Sequence, residues 1–186
     1  MTPPRLVHIF GASGSGTTTL GRALATALGC PHVDTDDFYW LPTDPPFVEK
    51  RTVAERCRLL EAALAPSPGW VLSGWLGSWG DIFVPQFDFA VFLSTPTAVR
   101  VARLRTREAA HFGAAAIAPG GPQHAKHEEF IAWAASYEAG EREGRSRAVQ
   151  EAWLARLPCP VLRLSGEEPT EALVAAIIAG RFSPGN

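Results

Sequence analysis

Apolar positions along the chain fall into two alternating kinds. Short unbroken runs occur at Leu6-Val7-His8-Ile9-Phe10, Trp70-Val71-Leu72-Ser73, Asp88-Phe89-Ala90-Val91-Phe92-Leu93 and Val161-Leu162-Arg163-Leu164. Runs of this length predict strands, and Asp88–Leu93, which lacks polar alternation, predicts the clearest buried one. A shorter run, Pro31-His32-Val33, predicts another strand. Between them lie segments with helical spacing. Thr17 to Leu28 is closed by Gly29, and Val48 to about Ala65 carries Val53, Cys57, Leu60 and Leu64. Thr95-Pro96 opens another helix reaching about Ala110, with Thr95 as cap and Pro96 at the first position. Further helices are predicted over Ala125–Tyr137, Ser146–Leu157 and Pro169–Ala179. A Pro-rich excursion follows the second strand through Phe47, a Gly/Ala/Pro-rich mobile stretch covers His111–Pro122, and a charged break covers Gly140–Gly144.

Strands that alternate with helices predict a three-layer α/β/α fold on a five-stranded parallel sheet. The longest irregular stretches follow strands, which concentrates loop material at the edge where such sheets bind ligands.

The first junction is the most informative. Gly11-Ala12-Ser13-Gly14-Ser15-Gly16-Thr17-Thr18-Thr19 follows a strand and opens a helix, whose free N–H groups and positive dipole end favour phosphate. The spacing satisfies the phosphate-loop pattern at every fixed position except the lysine, which is Thr17. The amide cradle remains, with the Thr18 hydroxyl placed to meet Mg²⁺. The glycines do not fit a dinucleotide fingerprint.

Asp34, Asp36 and Asp37 end the second strand. If that segment stays extended, Asp34 and Asp36 share a face and Asp37 points away. A carboxylate there would accept a proton from a substrate hydroxyl or anchor Mg²⁺, for which Asp36 is the candidate beside Thr18. Arg100, Arg103 and Arg107 share a helix face, with Arg105 turned aside, and arginine is the natural fork for phosphoryl oxygens where lysine is absent. Arg51 and Arg56 are candidates for an acceptor's phosphate or carboxylate, or for plain surface roles. Trp40, Trp75 and Trp79 lie in loops, suited to stacking on a base or sugar or to packing.

Composition narrows the choice further. The chain has 186 residues, 46% of them hydrophobic, enough for one sizeable core, and a single domain over 1–186 is expected. A formal charge of -2 supplies no basic stripe for nucleic acid. No apolar stretch reaches membrane-spanning length, and no leader is evident before the first strand, so a cytoplasmic protein without membrane or nucleic-acid partners is expected. Cys30, Cys57 and Cys159 form no Cys-x-x-Cys pair and read as buried small hydrophobes. His124, His127 and Glu128 lack His-Glu-x-x-His spacing, and Ser73 lies in no nucleophile elbow.

Taken together, the Gly11–Gly16 loop, the Asp-rich strand end, Val91-Phe92-Leu93 followed by Arg103-Leu104 and Arg107, and Val161-Leu162-Arg163-Leu164-Ser165-Gly166 resemble the P-loop nucleotide and nucleoside kinase superfamily, adenylate-kinase-like branch. The Asp36-Asp37-Phe38-Tyr39 segment is more distantly similar to uridine, nicotinamide riboside and pantothenate kinases. The resemblance implies a P-loop fold with strand order 2-3-1-4-5 and ATP and Mg²⁺ as cofactors. It implies phosphate binding at Ser13 to Thr18, with Arg103 and Arg107 bordering a short lid at about 111–122. An acceptor-binding insert at about 39–64 and a base bordered by Ser165 and Gly166 follow from it too. Two positions depart: Thr17, and Leu72-Ser73-Gly74-Trp75, where nucleotide monophosphate kinases carry an acid and an arginine. The expected function is therefore γ-phosphate transfer from ATP to a small acceptor other than AMP. The alternatives are a nucleotide hydrolase and a non-catalytic nucleotide-binding protein, and monomer and homodimer both remain open.

Overall fold

The computed structural model describes residues 6–43, 48–140 and 144–182. Parts of the Pro-rich excursion (44–47) and of the charged break (141–143), together with the residues before the first strand, lie outside the described residues. Five strands, β1 (Leu6–Gly11), β2 (His32–Asp34), β3 (Trp70–Ser73), β4 (Phe89–Ser94) and β5 (Val161–Ser165), form one sheet in the order β2-β3-β1-β4-β5. Every pairing is parallel; Val7 lies between Val71 and Phe89, and Phe92 is opposite Arg163.

Successive strand residues point to opposite faces. Val7, Ile9, Val71, Val91 and Leu93 therefore pack against Leu20 and Leu24 of α1 (Thr17–Leu28) and Leu173 and Ile177 of α8 (Thr170–Phe182). Phe10, Leu72, Ala90 and Phe92 face the other way, onto Leu60 and Leu64 of α3 (Val53–Leu64) and Trp153 and Leu154 of α7 (Arg147–Leu154). These two apolar layers make the α/β/α sandwich and fix β1, with its loop, at the centre. A smaller cluster of Leu104, Ile131 and Ala134 joins α4 (Thr97–Phe112) to α6 (His124–Ala135).

Several local expectations change. Asp36–Tyr39 does not stay extended but coils into one helical turn, α2, with the Asp36 N–H donating to Asp34 Oδ1 at 3.1 Å. Helix α3 begins at Val53 rather than Val48. Thr52 and Glu55 form a reciprocal capping box there, while Lys50 is drawn into an antiparallel bridge with Trp40. At the start of α4 the cap is Pro96, because Thr95 is buried and spends its hydroxyl on the Ser15 carbonyl at 3.2 Å. Within His111–Pro122, the residues Ala114–Ile117 form a short helix, α5. The three cysteines are free and only half-buried. Trp79 is buried, and Trp75 packs against Phe10 and Trp153, so both belong to the core. Trp40 sits edge-on to Tyr39. No helix among the described residues is long and apolar enough to cross a membrane.

Candidate phosphate-transfer site

The loop between β1 and α1 turns sharply because Gly14 and Gly16 adopt left-handed φ values of 81° and 101°. At Gly14 a side chain would also press within 2.8 Å of the Arg100 carbonyl. Gly16 is the N-cap of α1 and offers no side-chain cap, so the first-turn N–H groups face the loop without a competing hydroxyl. The Ser15 hydroxyl is buried and has no hydrogen-bond partner. An orphan hydroxyl beside free amides at a helix N-terminus suits the oxygens of a phosphate chain. Thr17 occupies the lysine position and is half-buried; Thr19 is exposed on the first turn.

Thr18 leaves the loop toward β2. Its hydroxyl donates to Asp34 Oδ2 at 2.7 Å, and the same oxygen accepts from Ser73 Oγ at 3.1 Å. Ser73 is then left to accept from His32 Nε2 at 2.9 Å, and burial lowers the His32 pKa. The strand end thus delivers a carboxylate onto the first turn of α1. A threonine hydroxyl with one carboxylate is the small protein share that Mg²⁺ takes when water and phosphate fill the remaining octahedral positions. It is Asp34 that meets Thr18, whereas no hydrogen bond joins Thr18 to Asp36. Among the described residues no group of three or more His, Cys, Asp or Glu side chains is arranged to hold a metal ion by itself.

Asp36 and Asp37 project from α2, each with part of its surface exposed. The Asp36 carboxyl is pushed above its ordinary range, chiefly by desolvation and also by Asp34, while Arg145 and Arg107 pull it down. Asp37 is raised for the same leading reason, with Asp34 adding to it. The Asp37 carbonyl accepts from Arg51 at 3.2 Å, and Arg51 also donates to the Trp40 carbonyl. Arg51 therefore ties the end of α2 to the segment that leads into α3. Arg56 lies behind it, only 7% exposed, with its guanidinium carbon 3.7 Å from the centre of the Tyr39 ring. Its Nε has no partner.

The arginines of α4 divide by role. Arg100 is wholly buried and gives its N–H groups to the carbonyls of Thr95, Ser13 and Ala134 and to Thr97 Oγ1. It is a tie between loop, α4 and α6. Arg103 reaches the loop, donating to the Ser15 carbonyl at 3.4 Å and the Gly166 carbonyl at 2.9 Å. Arg107 is exposed over the Phe130 ring, and Arg105 turns away to pair with Glu128 at 2.6 Å. Ser165 and Gly166 are brought against the loop: the Gly166 N–H donates to the Ser94 carbonyl at 2.7 Å, and a side chain at Gly166 would press on the Ser15 carbonyl. His127 is buried beside Arg105, and His124 caps the Ile117 carbonyl at 2.9 Å, both as parts of helix packing.

One cation at this site carries no sequence signal. Arg145 enters from the start of α7, with its Nη1 3.5 Å from Ser13 Oγ. It lies 132 positions from Ser13 and belongs to no spaced motif, so only the fold brings it to the loop.

A central parallel strand that ends in a glycine loop at a helix N-terminus, within a sheet ordered 2-3-1-4-5, defines the P-loop NTPase-type kinase fold. The chain belongs to the same family as the uncharacterized protein YqaC of Bacillus subtilis, to which it is 44% identical over 161 residues, spanning 87% of this chain and 88% of YqaC. No family model matches. Among solved structures, the fold is shared with shikimate kinase from Bacteroides thetaiotaomicron (TM-score 0.54, 17% identity, 95% and 98% of the two chains). It is shared as well with a gluconokinase from Sinorhizobium meliloti (TM-score 0.51, 19% identity, 95% and 91%). At these identities the likeness is one of fold.

Proposed function

We propose that the protein is an ATP-dependent kinase that transfers the γ-phosphoryl group to a hydroxyl of a small acceptor. The observation that carries this reading is the 2.7 Å bond from Thr18 to Asp34, which joins the loop's helix to the acidic strand end. Bound Mg-ATP supplies the phosphoryl group and part of the charge neutralisation. Backbone N–H groups from Ser13 to Thr18, except that of Ser15, which donates to the Ala12 carbonyl, would hold the phosphate chain with the Ser15 hydroxyl, and Thr18 with Asp34 would hold the ion. Asp36, with its raised pKa, accepts the proton of the attacking hydroxyl. Asp37 borders the acceptor. Arg103 and Arg107 flank the lid at 111–122, and Ser165-Gly166 borders the base.

The acceptor lies against α2 and α3, within the segment at about 39–64. Arg56, buried and without a carboxylate partner among the described residues, favours an acceptor with a carboxylate or phosphate. The shared fold with gluconate and shikimate kinases supports that choice over the adenylate-kinase branch. So does the end of β3, where Ser73-Gly74 lacks the acid and arginine of nucleotide monophosphate kinases.

The test is ADP release from Mg-ATP against hydroxy acids, phosphorylated sugars, nucleosides, nucleotides and neutral alcohols. Acceptor-stimulated turnover that falls at least about 100-fold in Asp36→Asn, with ATP affinity kept, is expected. Turnover without any acceptor would instead identify a hydrolase, and ATP binding without turnover a binding module.

A further inference from the structure

The four arginines near the loop are not equally committed. Arg100 is saturated by four acceptors, Arg103 is held by two carbonyls, and Arg107 stands outward over Phe130. Arg145 differs from all three. Its Nε is buried with no acceptor, and its one hydrogen bond is a long one of 3.5 Å to Ser13 Oγ. Among the described residues no carboxylate lies within ion-pair distance of it. Burial lowers its pKa, and Asp36 is the charge that most opposes that shift. The guanidinium therefore faces the phosphate loop through Ser13, with no carboxylate among the described residues paired to it.

Arg145 is half-buried, but its Nε is shut off from water without an acceptor, and a guanidinium N–H in that position is costly unless something anionic completes it. The backbone around it is specialised as well. Gly144, immediately before it, has φ of 102°, and Ser146, immediately after, caps α7 through Val149 N–H at 3.3 Å. These neighbours pin the chain direction at Arg145 from both sides. The loop that it faces carries Thr17 where the phosphate-loop pattern has its cation.

We propose that Arg145 supplies, from the opposite wall, the phosphate-binding charge that Thr17 does not, so that the donor's β/γ-phosphates lie between the loop amides and this guanidinium. The inference rests on the nucleotide reading above. It makes two demands on binding that a packing role would not. Affinity must depend on Arg145 in proportion to the number of phosphates, and the two positions 17 and 145 must be interchangeable in charge.

Equilibrium titration without turnover reads both, using ATP, AMP and inorganic tripolyphosphate as probes. Arg145→Ala is expected to weaken ATP and tripolyphosphate about 10- to 100-fold while leaving AMP nearly unchanged. Adding Thr17→Lys to that variant should recover at least about tenfold for ATP, though Thr17→Lys alone gains little. Arg145→Lys, which keeps the charge, covers the case in which the alanine variant fails to fold. It should retain more ATP affinity than Arg145→Gln. Unchanged ATP affinity in Arg145→Ala, an equal loss for ATP and AMP, or no recovery by Thr17→Lys would each overturn the inference. Failure of the unaltered protein to bind ATP or tripolyphosphate would overturn the nucleotide reading beneath it.

Discussion

His8 sits on the central strand with no exposure at all, stacked between the rings of Phe10 and Phe87 and edge-on to Trp153. Its Nδ1 faces the Leu72 carbonyl at 3.3 Å, but Nε2 has no partner. Burial pushes its pKa from 6.5 down to about 3. Between those values the unfolded chain binds a proton that the folded chain refuses, so stability falls as pH drops below 6.5 and is intact above it. The slope is about 1.4 kcal/mol per pH unit, or about 2 kcal/mol lost between pH 7 and 5. Urea unfolding at the two pH values should read this loss, and His8→Phe should abolish most of it; an unchanged slope in the variant would refute the assignment. The raised carboxyl of Asp36 has a different readout. If it is the base, the acid limb of turnover lies above the ordinary carboxylate range of 3.8, since activity requires the deprotonated form. Neutralising Arg107 removes one pull downward and should move that limb further up. At this scale the loop was legible because its glycines, Thr18 and the strand lie within a dozen residues. Arg145 and the Thr18–Asp34 bond were not, because they are made by the packing of distant segments and leave no spacing in the sequence.

Elements were legible where pattern and cap agree. Strand β3 and helix α1 follow their apolar runs, and Gly29 ends α1 in the left-handed conformation that its place predicts. The apolar pattern predicts the start of α3 five residues too early, because Val48 continues it backwards, although Thr52-x-x-Glu55 marks the observed start. Thr52→Ala removes the hydroxyl that accepts from the Glu55 N–H, leaving the Thr52 N–H to the Glu55 carboxylate, and should cost about 1 kcal/mol, measured as a lower urea midpoint with an unchanged slope. α2 escaped a reading based on extended geometry, since Asp34 caps the turn with its own carboxylate through the Asp36 N–H. That turn moves Asp36 off the strand face, which is why Asp34 and Asp36 divide between ion and acceptor in the proposed reaction.

Across the whole molecule, the order of strands is the one implied by the resemblance to P-loop kinases, whereas no sequence feature implies the attachment of α6 and α7 to the loop. Arg100 makes that attachment, and Gln150 adds to it by donating to the Gly11 carbonyl at 3.1 Å while accepting from Tyr137. Arg100→Met fills the volume but strands four acceptors, and a loss of about 3–5 kcal/mol is expected in thermal or urea unfolding. A variant within 1 kcal/mol of the parent, on the same scale, would show the tie to be dispensable. The same contacts bear on what happens when charge arrives. Arg100 holds the Ser13 carbonyl, and Thr95 and Arg103 hold that of Ser15, all from outside the turn. In a trans peptide the following N–H points the opposite way, so the amides of Gly14 and Gly16 are aimed inward before any ligand enters. The peptide dipoles of the loop are thus oriented at folding, and little reorganisation energy is left to spend during transfer.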